Sequence, residues 1–306
     1  MHRRQIIKLF GLLPLITACT LPGIADAQKI LSTTSQIGDI VTQLIGDAVA
    51  HSSLIRTGLD PHTYKATQSD LLRFQEARLI LSNGLNLEAS LARVLTQMPS
   101  PIRVASLADA FRPSELLGSA HGNEFDPHIW FDTQLWRKAV AFVAEAISST
   151  YVGLQPGMAE RLQDYDGALV ALTSELRTEI DKIPPDRRVL ITAHDAFGYF
   201  GRAYGFDVLG VQGLSTATEA GIQNMSRLAD VIVTRNVPAV FVESTVSPRT
   251  IEALQAAVSD RGGQVNVGGE LYSDSLGDPH TDAATYVGMM RHNVKTIVAA
   301  LQGAQR

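Results

Sequence analysis

The sequence predicts an α/β protein with two doubly wound parallel-sheet lobes joined by one long rigid helix. From residue 29 onward, short apolar runs typical of strands alternate with amphipathic stretches typical of helices. Such alternation is characteristic of parallel sheets with helices on both faces. A periodic apolar stretch interrupts the alternation near the middle of the chain, after which it resumes. We therefore expect one sheet on each side of this stretch.

The first lobe is predicted to contain four strands and four helices. The strands are expected at residues 30–35, 52–58, 79–84 and 102–108. The helices are expected at residues 37–48, 69–77, 87–95 and 133–153. Ser69 is the expected N-cap of the second of these helices, because its hydroxyl can accept a hydrogen bond from a free backbone amide.

The linking helix is predicted from an apolar repeat that runs from about residue 156 to residue 183. Apolar side chains recur there every three or four residues, at Leu162, Tyr165, Leu169, Leu172, Leu176 and Ile180. Pro184 and Pro185 end the repeat, since proline cannot continue a helix. A helix of about 27 residues spans roughly 40 Å, which is longer than a crossover within one lobe requires.

The second lobe is predicted to repeat the pattern of the first. Its strands are expected at residues 188–194, 206–211, 238–244 and 264–268. Its helices are expected at residues 197–204, 221–236, 248–261 and 281–302. The predicted N-terminal lobe is therefore residues 28–153, the linking helix residues 154–184, and the C-terminal lobe residues 185–306.

Composition limits the possible classes of function. With 45% hydrophobic and 19% charged residues among 306, the chain suits a folded globular protein and not a disordered one. The net charge of −5 indicates no basic face, so nucleic acid is not an expected partner. A single cysteine, Cys19, excludes an intrachain disulfide and a thiolate metal site in the folded body.

The N-terminal residues 1–27 are predicted to be a signal peptide. Basic residues precede an apolar run at residues 9–18, which is too short to cross a bilayer but suits a signal-peptide core. The small residues Ala25 and Ala27 fit a cleavage site that leaves a mature chain starting at Gln28. A competing pattern at residues 16–19 would place a lipid on Cys19. The expected location is the periplasm, or the outer face of the membrane if Cys19 is lipidated.

Three histidines occur at or near the carboxyl ends of predicted strands, where doubly wound folds collect ligands. They are His62 in GLDPHTY, His128 in DPHIWFD and His194 in ITAHDAFGYF. Asp274 in LYSDSLG follows the last predicted strand and offers a fourth ligand. Imidazole and carboxylate suit zinc and also manganese. A lone loop histidine is usually solvated, however, so spacing alone leaves open whether these residues form a metal site or are unrelated.

Other polar residues are weaker candidates. Four histidines are expected at the surface, of which His280 is a minor ligand candidate and His121 could deliver metal at the cleft rim: His51, His121, His280 and His292. Four acids could accept a hydrogen bond from a ligand imidazole, or form salt bridges and caps instead: Glu243, Asp126, Asp132 and Asp195. Four aromatic residues are expected in the core: Trp130, Phe131, Phe197 and Tyr199.

Six segments together resemble the cluster A-I solute-binding proteins of zinc and manganese ABC importers, the TroA/ZnuA-type family. They are TTSQIGDIVTQLIGD (33–47), LDPHTY (59–64), DPHIWFD (126–132), VLITAHDAFGYFGRAYGF (189–206), VFVESTVSPRTIEAL (240–254) and LYSDSLG (271–277). The resemblance covers residues 29–302. It implies two α/β lobes, a rigid linking helix and one metal ion in the cleft. The implied ligands are His62 and His128 from the first lobe, and His194 and Asp274 from the second.

The resemblance leaves the identity of the metal open. His194 stands where some manganese-selective members carry glutamate, and an additional nitrogen ligand favours zinc in the Irving–Williams order. Zinc-dedicated members often have a long His-rich loop, however, whereas residues 114–125 contain only His121. We therefore expect one transported ion per chain, either Zn²⁺ or Mn²⁺.

The predicted function is that of a non-enzymatic, monomeric, extracytoplasmic receptor that delivers Zn²⁺ or Mn²⁺ to an ABC import permease. The permease and its ATPase are expected to be separate proteins, because this sequence lacks both a GxxxxGK[ST] phosphate loop and a long apolar span. One alternative is a secreted zinc-dependent hydrolase, although four protein ligands would fill the position that a catalytic zinc reserves for water. The other is a surface adhesin on the same fold, which would require a lipid on Cys19.

Overall fold

The computed structural model describes residues 29–118 and 124–302. Within these residues, two separate four-stranded sheets are present, and the paired strands of both sheets are parallel. Helices flank both sheets, and one long helix lies between them in the sequence. The predicted fold class is confirmed. The predicted signal peptide at residues 1–27, Cys19 and His121 lie outside the described residues.

The first sheet has the strand order β2-β1-β3-β4. Its strands are β1 (Lys29–Ser32), β2 (His51–Ser53), β3 (Ala77–Ser82) and β4 (Arg103–Ser106). Its helices are α1 (Ser35–Ile45), α2 (Gln68–Glu76), α3 (Ala92–Thr96) and α4 (Thr133–Thr150). The central strands β1 and β3 are almost wholly buried. Burial on both faces explains why neighbouring residues in their centres, such as Ile30 and Leu31 or the run 79–81, are all apolar rather than alternating with polar ones.

The long helix α5 (Gln155–Ile180) has 26 residues, which corresponds to about 39 Å at 1.5 Å per residue. A short 3₁₀ turn, Val152–Leu154, connects it to α4. Helix α5 packs against α1 and α4 of the first lobe. One stripe of its surface is buried, and this stripe contains Met158, Tyr165, Leu169, Leu172, Leu176 and Ile180.

The second sheet has the strand order β6-β5-β7-β8. Its strands are β5 (Val189–His194), β6 (Asp207–Gln212), β7 (Ala239–Glu243) and β8 (Asn266–Leu271). Its helices are α6 (Gly198–Tyr204), α7 (Ile222–Arg235), α8 (Arg249–Ser259) and α9 (Tyr286–Gln302). Strand β5 is buried along its whole length, so its last residue is delivered into the interior.

Several elements differ from the prediction: the strand expected at residues 52–58 is limited to His51–Ser53, and the closing helix expected at residues 281–302 begins at Tyr286. The helix expected at residues 87–95 is a 3₁₀ turn at Ala89–Leu91 followed by α3. The last strand is Asn266–Leu271 rather than 264–268, because pairing with β7 continues past Gly268 to Glu270 and Leu271. The N-cap of α2 is Thr67 and not Ser69: Thr67 and Asp70 form a reciprocal capping box.

One hydrophobic cluster extends through both lobes. It contains Ile30 and Leu79 from the first sheet, Leu172 from α5, and Leu190 and Phe241 from the second sheet. Helix α9 of the second half also packs on α5. Relative movement of the sheets must disturb this shared core, so we expect it to be limited. The lobe boundaries after residues 153 and 184 stay a prediction. None of the helices in residues 29–118 and 124–302 has the length and hydrophobicity needed to cross a membrane.

Candidate metal centre

Four buried side chains meet between the two sheets, and they are the predicted set: His62, His128, His194 and Asp274. Each offers one potential ligand atom, and the four atoms all lie within 4.8 Å of one another. His62 is the most accessible of the four, at 8% exposed. The group could therefore hold one metal ion away from bulk solvent.

Each half of the molecule supplies two of these side chains. His62 lies in a turn beyond β2, whereas His194 is the last residue of β5 and Asp274 follows the end of β8. The expectation that each histidine follows a strand is wrong for His128, because the preceding strand β4 ends far upstream at Ser106. His128 instead immediately precedes a 3₁₀ turn that leads into α4.

The spacing of the ligand atoms suits a small ion in tetrahedral coordination. Nε2 of His128 lies 3.3 Å from Nε2 of His62 and 3.4 Å from Nε2 of His194. The Asp274 oxygens lie 3.3 Å from Nε2 of both His128 and His194, and 3.8 Å from Nε2 of His62. Bonds of about 2.0–2.1 Å to a tetrahedral zinc would place adjacent ligand atoms about 3.3 Å apart. The side chains therefore fit a metal of this size.

The Asp274 carboxylate is the strongest indication that this cluster can bind a cation. Both of its oxygens are buried, and neither has a hydrogen-bond partner among the described residues. The nearest imidazole nitrogens are at ion-pair distance but not in hydrogen-bond geometry. An uncompensated buried carboxylate is very costly, so a positive charge is required at this point.

Two further carboxylates orient the imidazoles from the outside. Asp126 Oδ1 lies 2.7 Å from Nδ1 of His128 and accepts a hydrogen bond from the same residue's backbone amide at 2.9 Å. Glu243 contacts His194 in the same way, at 2.5 Å to Nδ1 and 2.8 Å to the amide. A proton on Nδ1 leaves the Nε2 lone pair free to face the centre of the cluster. Of the roles considered for these two acids, accepting a hydrogen bond from an imidazole is the one observed.

Contacts between the two halves hold this arrangement. The Tyr199 hydroxyl donates to the Asp126 carbonyl at 2.9 Å, and Trp130 Nε1 donates to the Ser273 carbonyl at 3.0 Å. Gly198 is required for close approach, since a Cβ there would lie 2.7 Å from Asp126 Oδ2. These contacts fix the position of the His128 imidazole in the first half relative to the loop that bears Asp274 in the second half.

The turn that carries His62 is organised by Asp60, a residue that sequence reasoning missed. Asp60 Oδ1 accepts from the His62 backbone amide at 2.8 Å, while Oδ2 accepts from the hydroxyls of Thr63 at 3.0 Å and Thr216 at 2.5 Å. The same contact, from carboxylate to histidine amide, occurs within the Asp-Pro-His segment that ends at His128. The repeated Asp-Pro-His motif was the signal that could have identified Asp60.

The electrostatics of the cluster differ from one imidazole to the next. Burial, acting against the Asp274 carboxylate, lowers the pKa of His62 to about 4. Burial also opposes protonation of His128, but the Asp126 and Asp274 carboxylates outweigh it and raise the pKa of His128 to about 9. Glu243 and Asp274 likewise outweigh burial and raise the pKa of His194. Both upward shifts favour protonated imidazoles at His128 and His194, each facing its outer carboxylate and Asp274.

The pKa of Asp274 is shifted in the opposite direction to the pKa values of His128 and His194. Burial alone would favour its neutral form, but the facing imidazoles of His194, His128 and His62 hold the pKa of this carboxyl well below its usual range. Asp274 is therefore ionised throughout the physiological pH range. A buried carboxylate that stays ionised requires a positive charge beside it, which either a protonated imidazole or a metal ion can supply.

The remaining candidates lie outside the cluster. His280 is exposed and is not part of the group of potential ligands among the described residues. His51 and His292 are partly exposed and contact backbone carbonyls. Asp132 caps α4 and pairs with Arg202 at 3.1 Å. Burial raises the pKa of Asp195, which forms no hydrogen bond to an imidazole within the described residues. The four aromatic residues expected in the core are buried, as predicted: Trp130, Phe131, Phe197 and Tyr199.

Two α/β halves linked by one long helix, with a buried ligand cluster between them, define the class of two-lobed solute-binding proteins. A family model described as ZnuA, zinc-uptake complex component A periplasmic, matches residues 30–300, and this chain belongs to that family. The family comprises substrate-binding components of metal transporters and not enzymes. The resemblance inferred from the motifs is therefore confirmed.

Individual relatives agree with the family assignment. The chain is 43% identical to the zinc-binding protein TroA of Treponema pallidum, over 90% of each sequence. It is 39% identical to the manganese-binding lipoprotein MntA of Bacillus subtilis, over 91% of each. The solved structure of the periplasmic zinc-binding protein TroA from T. pallidum superposes with a TM-score of 0.87 at 42% identity, covering 90% of this chain and 99% of that one.

We predict that Asp126→Asn lowers the pKa of His128 in the metal-free protein. The substitution removes the carboxylate charge at Nδ1, and loss of such a charge typically lowers an imidazole pKa by about one pH unit or more. NMR titration of ¹⁵N-labelled imidazoles measures the change. Asp132→Asn is the matched control, because Asp132 contacts a helix terminus and Arg202 rather than an imidazole. An unchanged His128 pKa in Asp126→Asn would contradict the electrostatic account.

Proposed function

We propose that this protein captures one Zn²⁺ or Mn²⁺ ion outside the cytoplasm and delivers it to the permease of an ABC importer. The proposed ligands are Nε2 of His62, His128 and His194, together with the carboxylate of Asp274. The observation that carries the proposal is the buried Asp274 carboxylate, which has no hydrogen bond among the described residues and faces three imidazole nitrogens. A divalent ion would neutralise it and occupy the space between the nitrogens.

The same geometry disfavours the alternative of a zinc-dependent hydrolase. A catalytic zinc usually has three protein ligands and keeps a fourth position open for water. In the proposed site Asp274, whose oxygens lie 3.3 Å from two of the imidazole nitrogens, would take the fourth position of the tetrahedron. Membership of a family of transport components also does not favour a hydrolase or an adhesin.

The choice between zinc and manganese stays open in this proposal. The relative TroA is named for zinc and the relative MntA for manganese, at 43% and 39% identity. Three nitrogen ligands favour zinc by intrinsic affinity. Asp274, however, has two free oxygens, and bidentate coordination through both would raise the coordination number toward what manganese accepts.

Delivery would require separate proteins and an extracytoplasmic location. The family description is periplasmic, and MntA is named a lipoprotein, so both the predicted cleavage after Ala27 and the lipidation of Cys19 remain proposals for this chain. The permease and its ATPase are the proposed partners, and we propose a monomer. Because the ligands are divided between the two halves, a small tilt of one half against the other would separate them and release the ion.

We expect metal-stripped protein to bind one ion per chain of zinc or manganese in a calorimetric titration. His62→Ala and Asp274→Ala should each weaken binding by more than about 100-fold, since loss of even an outer partner of a metal ligand costs about 10–100-fold. Each variant should also lose most of the rise in melting temperature that the metal produces by binding only the native state.

His280→Ala is the control for these variants, because His280 is exposed and lies outside the group. It should bind metal with the affinity of the wild-type protein. Failure of the wild-type protein to bind either ion would refute the proposed function. Loss of binding in His280→Ala, with normal binding in Asp274→Ala, would move the site toward the closing helix.

Metal affinity should rise with pH well above the ordinary histidine pKa. His128, with a pKa raised to about 9, and His194 hold protons in the metal-free protein, and the metal must displace them. His62, with a pKa lowered to about 4, has no proton to lose near neutrality. Calorimetry in buffers of different ionisation enthalpy should therefore detect release of about one to two protons per ion near pH 7. Proton release near zero would contradict this account.

A further inference from the structure

A buried acid outside the metal cluster joins the two halves of the molecule to the linking helix. Asp39 of α1 is 8% exposed. Its Oδ2 accepts a hydrogen bond from the backbone amide of Tyr286, the first residue of α9, at 3.0 Å. The same oxygen accepts from the hydroxyl of Tyr165 in α5 at 3.3 Å, and Oδ1 accepts from Gln43 at 3.1 Å. One carboxylate therefore contacts the first half, the second half and α5.

The position of Asp39 is energetically expensive, which indicates a specific role. Burial raises the pKa of Asp39 even though its three hydrogen bonds act in the opposite direction. The carboxylate faces the N-terminus of α9, where the helix dipole and the free amides favour a negative charge. The charge of Asp39 thus ties the first turn of α9 to α1 across the boundary between the halves.

The segment from residue 275 to residue 286, called here the anchor segment, directly follows Asp274 and ends at α9. Near its start, the Ser275 hydroxyl accepts from the Gly58 amide at 2.9 Å, and the Leu276 amide donates to the Ser35 hydroxyl at 3.0 Å. Its last residue is held by Asp39. Although the anchor segment continues the second sheet, it is hydrogen-bonded to the first half at both ends.

A groove lies beside the anchor segment on the side that faces α1. The groove has a volume of about 710 Å³ and lies between α1 and the anchor segment, where its lining includes Asp39, Leu276 and Thr285. Side-chain packing therefore does not fill this side of the segment. On this side the hydrogen bonds to Asp39, Ser35 and Gly58 hold the segment, whereas on its other side Leu276, Ala283 and Tyr286 pack into the hydrophobic core.

We propose that Asp39 is a positioning residue that holds the anchor segment against the first half and thereby sets the rate at which the bound metal is released. The inference rests on the proposed function, since it takes Asp274 as a ligand. Asp274 can leave His62 and His128 only if the anchor segment moves away from the first half. Detaching α9 from Asp39 removes one restraint at the distal end of this segment, where the Tyr286 hydroxyl also donates to the Trp130 carbonyl at 2.7 Å.

The test is the rate of zinc release into excess EDTA, measured by stopped flow on the zinc-loaded full chain. Asp39→Ala should release zinc about tenfold faster, which is the effect expected for loss of an interaction with a buried charged acceptor. Asp39→Asn keeps one acceptor oxygen and should fall between Asp39→Ala and the wild type. Tyr165→Phe removes a single bond to Oδ2 and should accelerate release by a smaller factor. Asp47→Ala, at an exposed acid beyond the end of α1, should release zinc at the wild-type rate.

The outcomes separate a positioning role from a merely structural one. If Asp39→Ala lowers the melting temperature of the metal-free protein but releases zinc at the wild-type rate, the proposal is overturned. If Asp39→Ala does not fold, wild-type release rates in both Asp39→Asn and Tyr165→Phe overturn it equally. A wild-type protein that binds no zinc and no manganese would contradict the proposed function itself, whereas normal binding with unchanged release in the variants contradicts only the role of Asp39.

Discussion

One electrostatic requirement governs the centre of this molecule: the buried Asp274 carboxylate must be matched by positive charge. No backbone amide, lysine or arginine supplies that charge among the described residues, and the groups that face it are three imidazoles. The neighbouring carboxylates raise the pKa of His128 and of His194, which favours protons on these imidazoles. In the proposed function a divalent ion would displace those protons, so metal capture would depend on pH.

The rest of the architecture places Asp274 where this competition occurs. The strand β5 delivers His194 into the interior, and Glu243 at the end of the adjacent strand β7 fixes its imidazole. From the other half, Asp126 fixes His128 in the same manner. A continuous hydrophobic core and the shared helix α5 connect the two halves. Movement of one half against the other is therefore limited to small shifts in the contacts between them. Metal release by such displacements needs no large closing motion.

Much of this arrangement was predictable from sequence because its causes are local. Period-two and period-3.6 apolar patterns identified the strands and helices, and the apolar repeat of α5 with its terminal prolines identified the link between the halves. His62, His194 and Asp274 were candidates because each was predicted to follow a strand, but spacing alone left the site open, and the set of four ligands came from the family resemblance of their motifs. The position of His128 was harder to predict, because no strand places it. A turn positions it instead, in which the His128 backbone amide donates to the Asp126 carboxylate. Asp39 and the Trp130–Ser273 contact depend on residues far apart in the chain, which no local pattern records.

The most direct test of the central claim is a crystal structure of protein purified from its native compartment without added metal, with anomalous scattering recorded at the zinc and manganese absorption edges. We expect one anomalous peak per chain, about 2.0–2.3 Å from Nε2 of His62, His128 and His194 and from at least one oxygen of Asp274. Asp126 and Glu243 should remain hydrogen-bonded to the outer nitrogens of His128 and His194. A peak bound elsewhere, or a fully occupied ion from which Asp274 is absent, would contradict the account.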